Sequence, residues 1–175
     1  MAKMFLMCGN IAVGKSYVAK KIAGKLGCRY LNIDDCYAIL NGDERIHENK
    51  FEVWQLFYRL IHKCIELNQD VVVDTNAPFI NDRLEFLNWF PDFKEHHLIW
   101  VHAEDELALK ANEERGRTVP ENTVISLRYS FQPPEFDEPA GRSEWDTITR
   151  IRNNFTDEFE IRNIRGVNLD VRKAF

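Results

Sequence analysis

Eight residues near the start of the chain, Gly9-Asn10-Ile11-Ala12-Val13-Gly14-Lys15-Ser16, fit the spacing G-x-x-x-x-G-K-[ST]. Their surroundings give the pattern its force. Residues 4–8 form a short apolar run that reads as a buried strand, and residues 16–26 carry Val18, Ile22 and Leu26 on one helical stripe before Gly27. A strand that enters a glycine-rich turn and opens a helix can aim backbone N–H groups at an oxyanion, and the helix adds its positive end. Lys15 is expected to reach the β- and γ-phosphates of a nucleotide, and the Ser16 hydroxyl to bind Mg²⁺. Gly9, Asn10, Ile11, Ala12, Val13, Gly14, Lys15, Ser16 and Tyr17 are thus the expected ATP site.

The rest of the chain alternates strands with helices. Apolar runs at residues 28–33, 71–73, 98–101 and 147–151 read as further strands. Between them, helices are expected over residues 51–65, 79–90, 104–115 and 120–131. Phe51, Trp54, Tyr58, Ile61 and Ile65 recur at steps of three and four and are expected to face the core, with a base-stacking platform as the other use of that stripe. The pattern implies an α/β fold with a parallel sheet covered on both faces. With 175 residues, one domain over 1–175 is expected. The tail, about 152–175, is ambiguous, although Val167, Leu169 and Val171 alternate like a strand.

Charge and cysteine content narrow the partners. A net charge of −5 argues against a protein that coats duplex DNA through a broad basic face, while leaving room for a local basic pocket. Cys8, Cys28, Cys36 and Cys64 form no C-x-x-C pair and have no zinc spacing, so free thiols in a reducing, cytoplasmic setting are expected. No cleavable leader and no apolar run of membrane length is apparent, so no membrane partner is expected.

Several carboxylates come just after strands, where an open α/β sheet presents its ligand crevice. Asp34 and Asp35 come directly after the second strand. Asp34 is favoured as a general base for an attacking hydroxyl, and Asp35 as a cap for a helix starting near Cys36. Asp74 closes Asp70-Val71-Val72-Val73-Asp74 like a Walker B acid and is expected to hold Mg²⁺ through water, turn chemistry being its other reading. Thr75 and Asn76 would sit at the same crevice. Arg115-Gly116-Arg117 at a helix end suits either a mobile arginine that stabilises transferring phosphate or a solvated basic cap. Arg83 and Arg128 are weaker candidates. His96, His97 and His102 lie on or beside a strand without a clear ligand pattern.

Taken in order, the phosphate loop, Asn32-Ile33-Asp34-Asp35, Asp74-Thr75-Asn76, Arg115-Gly116, Val119-Pro120-Glu121 and Phe131-Gln132-Pro133-Pro134 resemble the polynucleotide 5′-hydroxyl kinases, within a larger group of zeta-toxin-like P-loop kinases. The resemblance covers about residues 4–138. It implies a P-loop kinase fold with a five-stranded parallel sheet in the order 2-3-1-4-5 and a helical lid at about 112–135. It also implies Asp34 as general base, Asp74, Thr75 and Asn76 at the acceptor site, and Arg115 as lid arginine.

The chain departs from that group at two places. An arginine commonly found three residues beyond the catalytic aspartate is Tyr37 here, and one just before it is Ile33. The loop from Gly9 to Ser16 also resembles that of deoxynucleoside kinases. These departures speak against a nucleic acid end as acceptor. A polynucleotide 5′-hydroxyl, bound with help from Tyr37, Arg45, Phe79 and Arg83, is still the first expectation, and a small nucleoside-like molecule, which suits Tyr37 and the acidic charge better, is the second. A nucleotide-dependent switch that transfers nothing is the third reading, and the pairing of Asp34 with Arg115 speaks against it.

Overall fold

The structure, a computed structural model, describes residues 1–114, 119–135, 145–156 and 158–175. Its central strand, β1 (Lys3–Cys8), is buried from Met4 onward and serves both faces of the sheet. Met4, Leu6 and Cys8 join one apolar cluster, and Phe5 and Met7 join the other. A strand buried on both sides has no polar face to alternate with, which is why it reads as an unbroken apolar run.

Around it lie β2 (Arg29–Asn32), β3 (Val71–Asp74), β4 (Glu95–His102), β5 (Thr147–Asn153) and β6 (Phe159–Arg165), in the spatial order β2-β3-β1-β4-β5-β6. The first five strands run parallel in the order that the family resemblance implied. The sixth was not anticipated and pairs antiparallel to β5. It lies at the sheet edge with Phe159 and Ile161 only half-buried, so it carries little apolar periodicity.

The expected strand through Val167, Leu169 and Val171 is instead the short helix α7 (Leu169–Lys173). Its cap is Asn168, whose side-chain oxygen accepts from the Val171 N–H at 3.0 Å. Only Val171 of those three is buried; Val167 and Leu169 face solvent.

Helix α1 (Lys15–Leu26) covers one face of the sheet through Val18, Ala19, Ile22 and Ala23, joined by Val171 and Ala174. The other face is covered by α2 (Ile33–Asn41), α3 (Lys50–Glu66) and α4 (Ile80–Trp89). On α3 the buried stripe is Val53, Phe57, Ile61 and Cys64, which shares Ile61 with the expected stripe but is otherwise shifted from it by one position. Phe51 is 72% exposed, and Trp54, Tyr58 and Ile65 pack at the margin of the core. Two apolar stripes overlap on this helix, and the bulkier aromatics sit at its border with α4, where Tyr58 meets Trp89 at 4.8 Å and Phe90 at 5.7 Å between ring centroids. Helices α5 (Asp105–Glu114) and α6 (Glu121–Ser130) come after β4, and an Arg128–Asp105 ion pair links them.

Candidate active site

The carboxyl ends of β1, β2 and β3 meet at one crevice, the place where an open α/β sheet binds ligands. Gly9 leaves β1 with φ +144°, and a Cβ there would lie 2.2 Å from the Val101 carbonyl oxygen, so only glycine fits. Ala12 and Gly14 come next at φ 64° and 83°, turning the backbone into a concave loop that feeds α1. The Gly9 N–H donates to the Asn76 carbonyl at 3.3 Å, and the Asn10 side chain accepts from the Ile11 N–H at 2.8 Å. Lys15 is 8% exposed, with its ammonium donating to the Asn10 carbonyl at 2.6 Å.

A residue from the far side of the sequence braces this loop. Asn153, at the end of β5 and 2% exposed, donates from Nδ2 to the Val13 carbonyl at 3.0 Å. Its Oδ1 accepts from the Phe155 N–H at 2.9 Å. A Cβ on Gly14 would meet Asn153 Nδ2 at 2.2 Å, so the second glycine answers a tertiary contact as well as a backbone angle.

Asp74 ends β3 directly opposite Asn32 of β2. Its Oδ2 accepts from the Tyr30 hydroxyl at 2.7 Å and from Asn32 Nδ2 at 3.3 Å, and the Ser16 hydroxyl bonds the same carboxylate. Burial holds the Asp74 carboxyl above the usual carboxylate range, helped by the charge of Asp34; the bonds from Tyr30 and Ser16 and the charge of Lys15 oppose this. Burial, together with the Asp74 charge and the hydrogen bond to it, pushes the Tyr30 phenol well up, so this group stays a donor.

Asp34 and Asp35 both lie in the first turn of α2. The expectation that Asp35 caps this helix is corrected. The strand ends at Asn32, whose extended backbone and side-chain oxygen make it the cap, accepting from the Asp34 N–H at 2.8 Å. Asp34 lines the crevice and is half-buried, whereas Asp35 faces solvent.

The crevice has a volume of about 520 Å³ and brings together Lys15, Ser16, Asp34, Asp74, Thr75 and Asn76. Ile11, Ala12, Gly14 and Tyr17 of the loop also line it, as does Ile33. Four residues expected on the acceptor side do not line the crevice: Arg45 is exposed and paired with Asp43, and Phe79 caps the start of α4. Tyr37 is buried behind the wall, with its ring 4.5 Å from that of His47. Arg83 is fully buried and donates to the carbonyls of Ala77 and Pro78 at 3.2 and 3.3 Å, so it braces the segment after β3 rather than meeting a ligand at the crevice. Arg115 lies outside the described residues.

Three more lining residues come from loops: His47 and Phe155, which carried no sequence signal, and Val119, which belongs to the Val119-Pro120-Glu121 segment of the resemblance. Val119 is held there by Asn112, 2% exposed, which bonds both its carbonyl (2.7 Å) and its N–H (3.1 Å). The strand histidines have structural partners: His96 with the Phe90 carbonyl, His97 with Thr147 and Glu95, and His102 with Arg150. Among the described residues no cluster of three or more His, Cys, Asp or Glu has the arrangement of a metal site. The pairing of the Ser16 hydroxyl with a buried, ionisable Asp74 nevertheless fits a divalent cation carried in with nucleotide phosphates, which brings most of its own ligands. No helix among the described residues is long and apolar enough to cross a membrane.

The whole chain is similar to the L-seryl-tRNA(Sec) kinase of Methanococcus maripaludis, 27% identical across 97% of this chain and 66% of the relative, so it spans just under two thirds of that protein. Among solved structures it resembles a gluconokinase from Sinorhizobium meliloti 1021, with a TM-score of 0.59 at 13% identity over 98% of this chain and 89% of the other. It also resembles a chain of an RNA repair complex, with a TM-score of 0.64 at 14% identity over 82% and 50% of the two chains. Those likenesses carry the P-loop kinase fold. The family model for the AAA domain matches residues 4–134, from β1 through the phosphate loop and past α6, and the chain belongs to that family.

Proposed function

We propose that this chain is an ATP-dependent phosphotransferase that moves the γ-phosphoryl group of ATP to a hydroxyl on a second molecule. One observation carries the reading: the Asp34 carboxylate and the phosphate loop face a single crevice of about 520 Å³, large enough for a triphosphate tail and an alcohol together. The acceptor oxygen attacks the γ-phosphorus, the bond from that phosphorus to the β,γ-bridging oxygen breaks, and the hydroxyl proton passes to Asp34. Lys15 and the loop N–H groups stabilise the charge on the phosphates. Ser16 and Asp74 would hold a magnesium ion, which would supply charge neutralisation for the phosphates. Arg115 is the lid arginine of this reading. Thr75 and Asn76 border the acceptor side.

An acceptor hydroxyl carried on a nucleic acid is the first choice, either a polynucleotide 5′-hydroxyl or an aminoacyl hydroxyl on a tRNA. The similarity along 97% of this chain to a protein named for seryl-tRNA favours it. A small alcohol is the second choice, favoured by the net charge of −5 and by the absence of an arginine three residues after Asp34.

The test is transfer of label from γ-labelled ATP to 5′-hydroxyl DNA and RNA, seryl-tRNA, nucleosides and gluconate. Asp34→Asn should lower transfer roughly 10²- to 10⁴-fold with ATP affinity near wild type. Undiminished transfer by that variant removes Asp34 as the base, and label confined to small molecules selects the second choice.

A further inference from the structure

The acceptor side of the crevice contains a residue that neither the motif pattern nor the family resemblance singled out. His47 sits in the connection between α2 and α3 and lines the crevice together with Asp34. Its imidazole lies against the Tyr37 ring, centroid to centroid 4.5 Å, with 39° between the planes. Tyr37 is 6% exposed and fixed in the core, so it serves as a backing plate that sets the plane of the imidazole.

The backbone on both sides of His47 is also held. Asn41, the last residue of α2, donates from its side-chain amide to the Ile46 carbonyl at 2.6 Å and to the Glu48 carbonyl at 3.0 Å. Its Oδ1 in turn accepts from the Asn49 side chain at 3.0 Å. One amide thus clips the two residues that flank His47, and Asn49 tightens the clip from the start of α3. Ordering an exposed loop costs about 1–2 kcal/mol of backbone entropy per residue, and little apolar burial is gained here in return, since residues 44–50 are all exposed. What the arrangement secures is the direction of one imidazole edge.

We propose that His47 anchors the acceptor by donating a ring N–H to a polar oxygen next to the reacting hydroxyl. The inference rests on the phosphotransferase reading and deepens it. The phosphate loop and Lys15 occupy the nucleotide side of the crevice, and Asp34 takes the proton. A group beside Asp34 on a separate loop therefore meets the incoming molecule. It takes over the contact that the sequence assigned to Tyr37, whose ring stands behind it. Asn41 is a positioning residue that acts through His47.

The test compares wild type with His47→Ala, His47→Phe, His47→Gln and Asn41→Ala, using whichever member of the labelled panel wild type phosphorylates best. Losing one such hydrogen bond should raise the acceptor KM about tenfold in His47→Ala. His47→Phe keeps a ring on Tyr37 but lacks the donor, and should be as impaired. His47→Gln restores a donor and should recover part of the loss. Asn41→Ala should raise the acceptor KM without altering the KM for ATP. The ATP KM and the thermal midpoint should stay at wild-type values in all the His47 variants, because the residue is exposed. Wild-type acceptor KM in His47→Phe would assign the residue to packing alone, and wild-type KM in His47→Ala would remove it from the site; either result overturns the inference while leaving the phosphotransferase reading intact. Failure of wild type to label any acceptor would overturn both, and is distinguishable because it appears before any variant is made.

Discussion

Asn153 donates to the Val13 carbonyl at 3.0 Å, so the last residue of β5 holds the crown of a loop that begins 144 residues earlier, at Gly9. In Asn153→Ala a buried carbonyl loses its partner. Stability should fall by about 1–3 kcal/mol, and ATP affinity should fall more than acceptor affinity, as read by thermal melts and nucleotide titration. Gly14→Ala should be worse, since its Cβ meets Asn153 Nδ2 at 2.2 Å on a backbone at φ +83°. Combining it with Asn153→Ala should recover only the steric part, because the backbone strain persists.

The Tyr30 hydroxyl bonds the buried Asp74 carboxylate at 2.7 Å and favours its ionised form. Without that bond, in Tyr30→Phe, the Asp74 carboxyl rises further above the usual range. Protonation then reaches it at higher pH, so the acidic limb of kcat/KM for ATP should move upward in pH relative to wild type. An unmoved limb would separate Asp74 from nucleotide turnover.

His97 is 4% exposed between Thr147 and Glu95, and its pKa is lowered chiefly by burial, with Glu95 opposing. His102 is lowered in the same direction by burial and by the Arg150 charge. The unfolded chain binds these protons first, near the ordinary histidine value. Their contribution to stability is therefore fully present above about pH 6.5 and is lost as pH falls below it. Each site contributes a slope of at most about 1.4 kcal/mol per pH unit. Urea midpoints measured from pH 7.5 to 5 should fall, and the fall should be shallower in His97→Gln.

The two stripes of α3 can be told apart by substitution. Phe57→Ala removes a fully buried ring and should cost about 3–5 kcal/mol. Phe51→Ala, at a position 72% exposed, should change stability by no more than about 0.5 kcal/mol. Equal losses in urea unfolding would return the core to the stripe expected from the sequence.

Much of this molecule is written in short stretches of sequence. The β1–loop–α1 unit is legible because glycine at positive φ, an apolar run and a helical stripe are local requirements that neighbouring residues satisfy. The placement of Asp74 at the end of β3 and of Asp34 just past β2 is legible for the same reason. Features set by packing are not. The choice between overlapping stripes on α3 depends on which one the sheet accepts, and β6 leaves little trace because an edge strand buries only part of one face. The roles of Arg83, Tyr37 and His47 were decided by how α4 and the α2–α3 connection pack against the crevice wall, while Asn153 reaches Val13 only because β5 lies alongside β4. Local sequence could specify an anion loop with acids opposite it. Only the tertiary fold, by bringing together residues far apart in the chain, determined which side chains brace that loop and which ones line the crevice beside it.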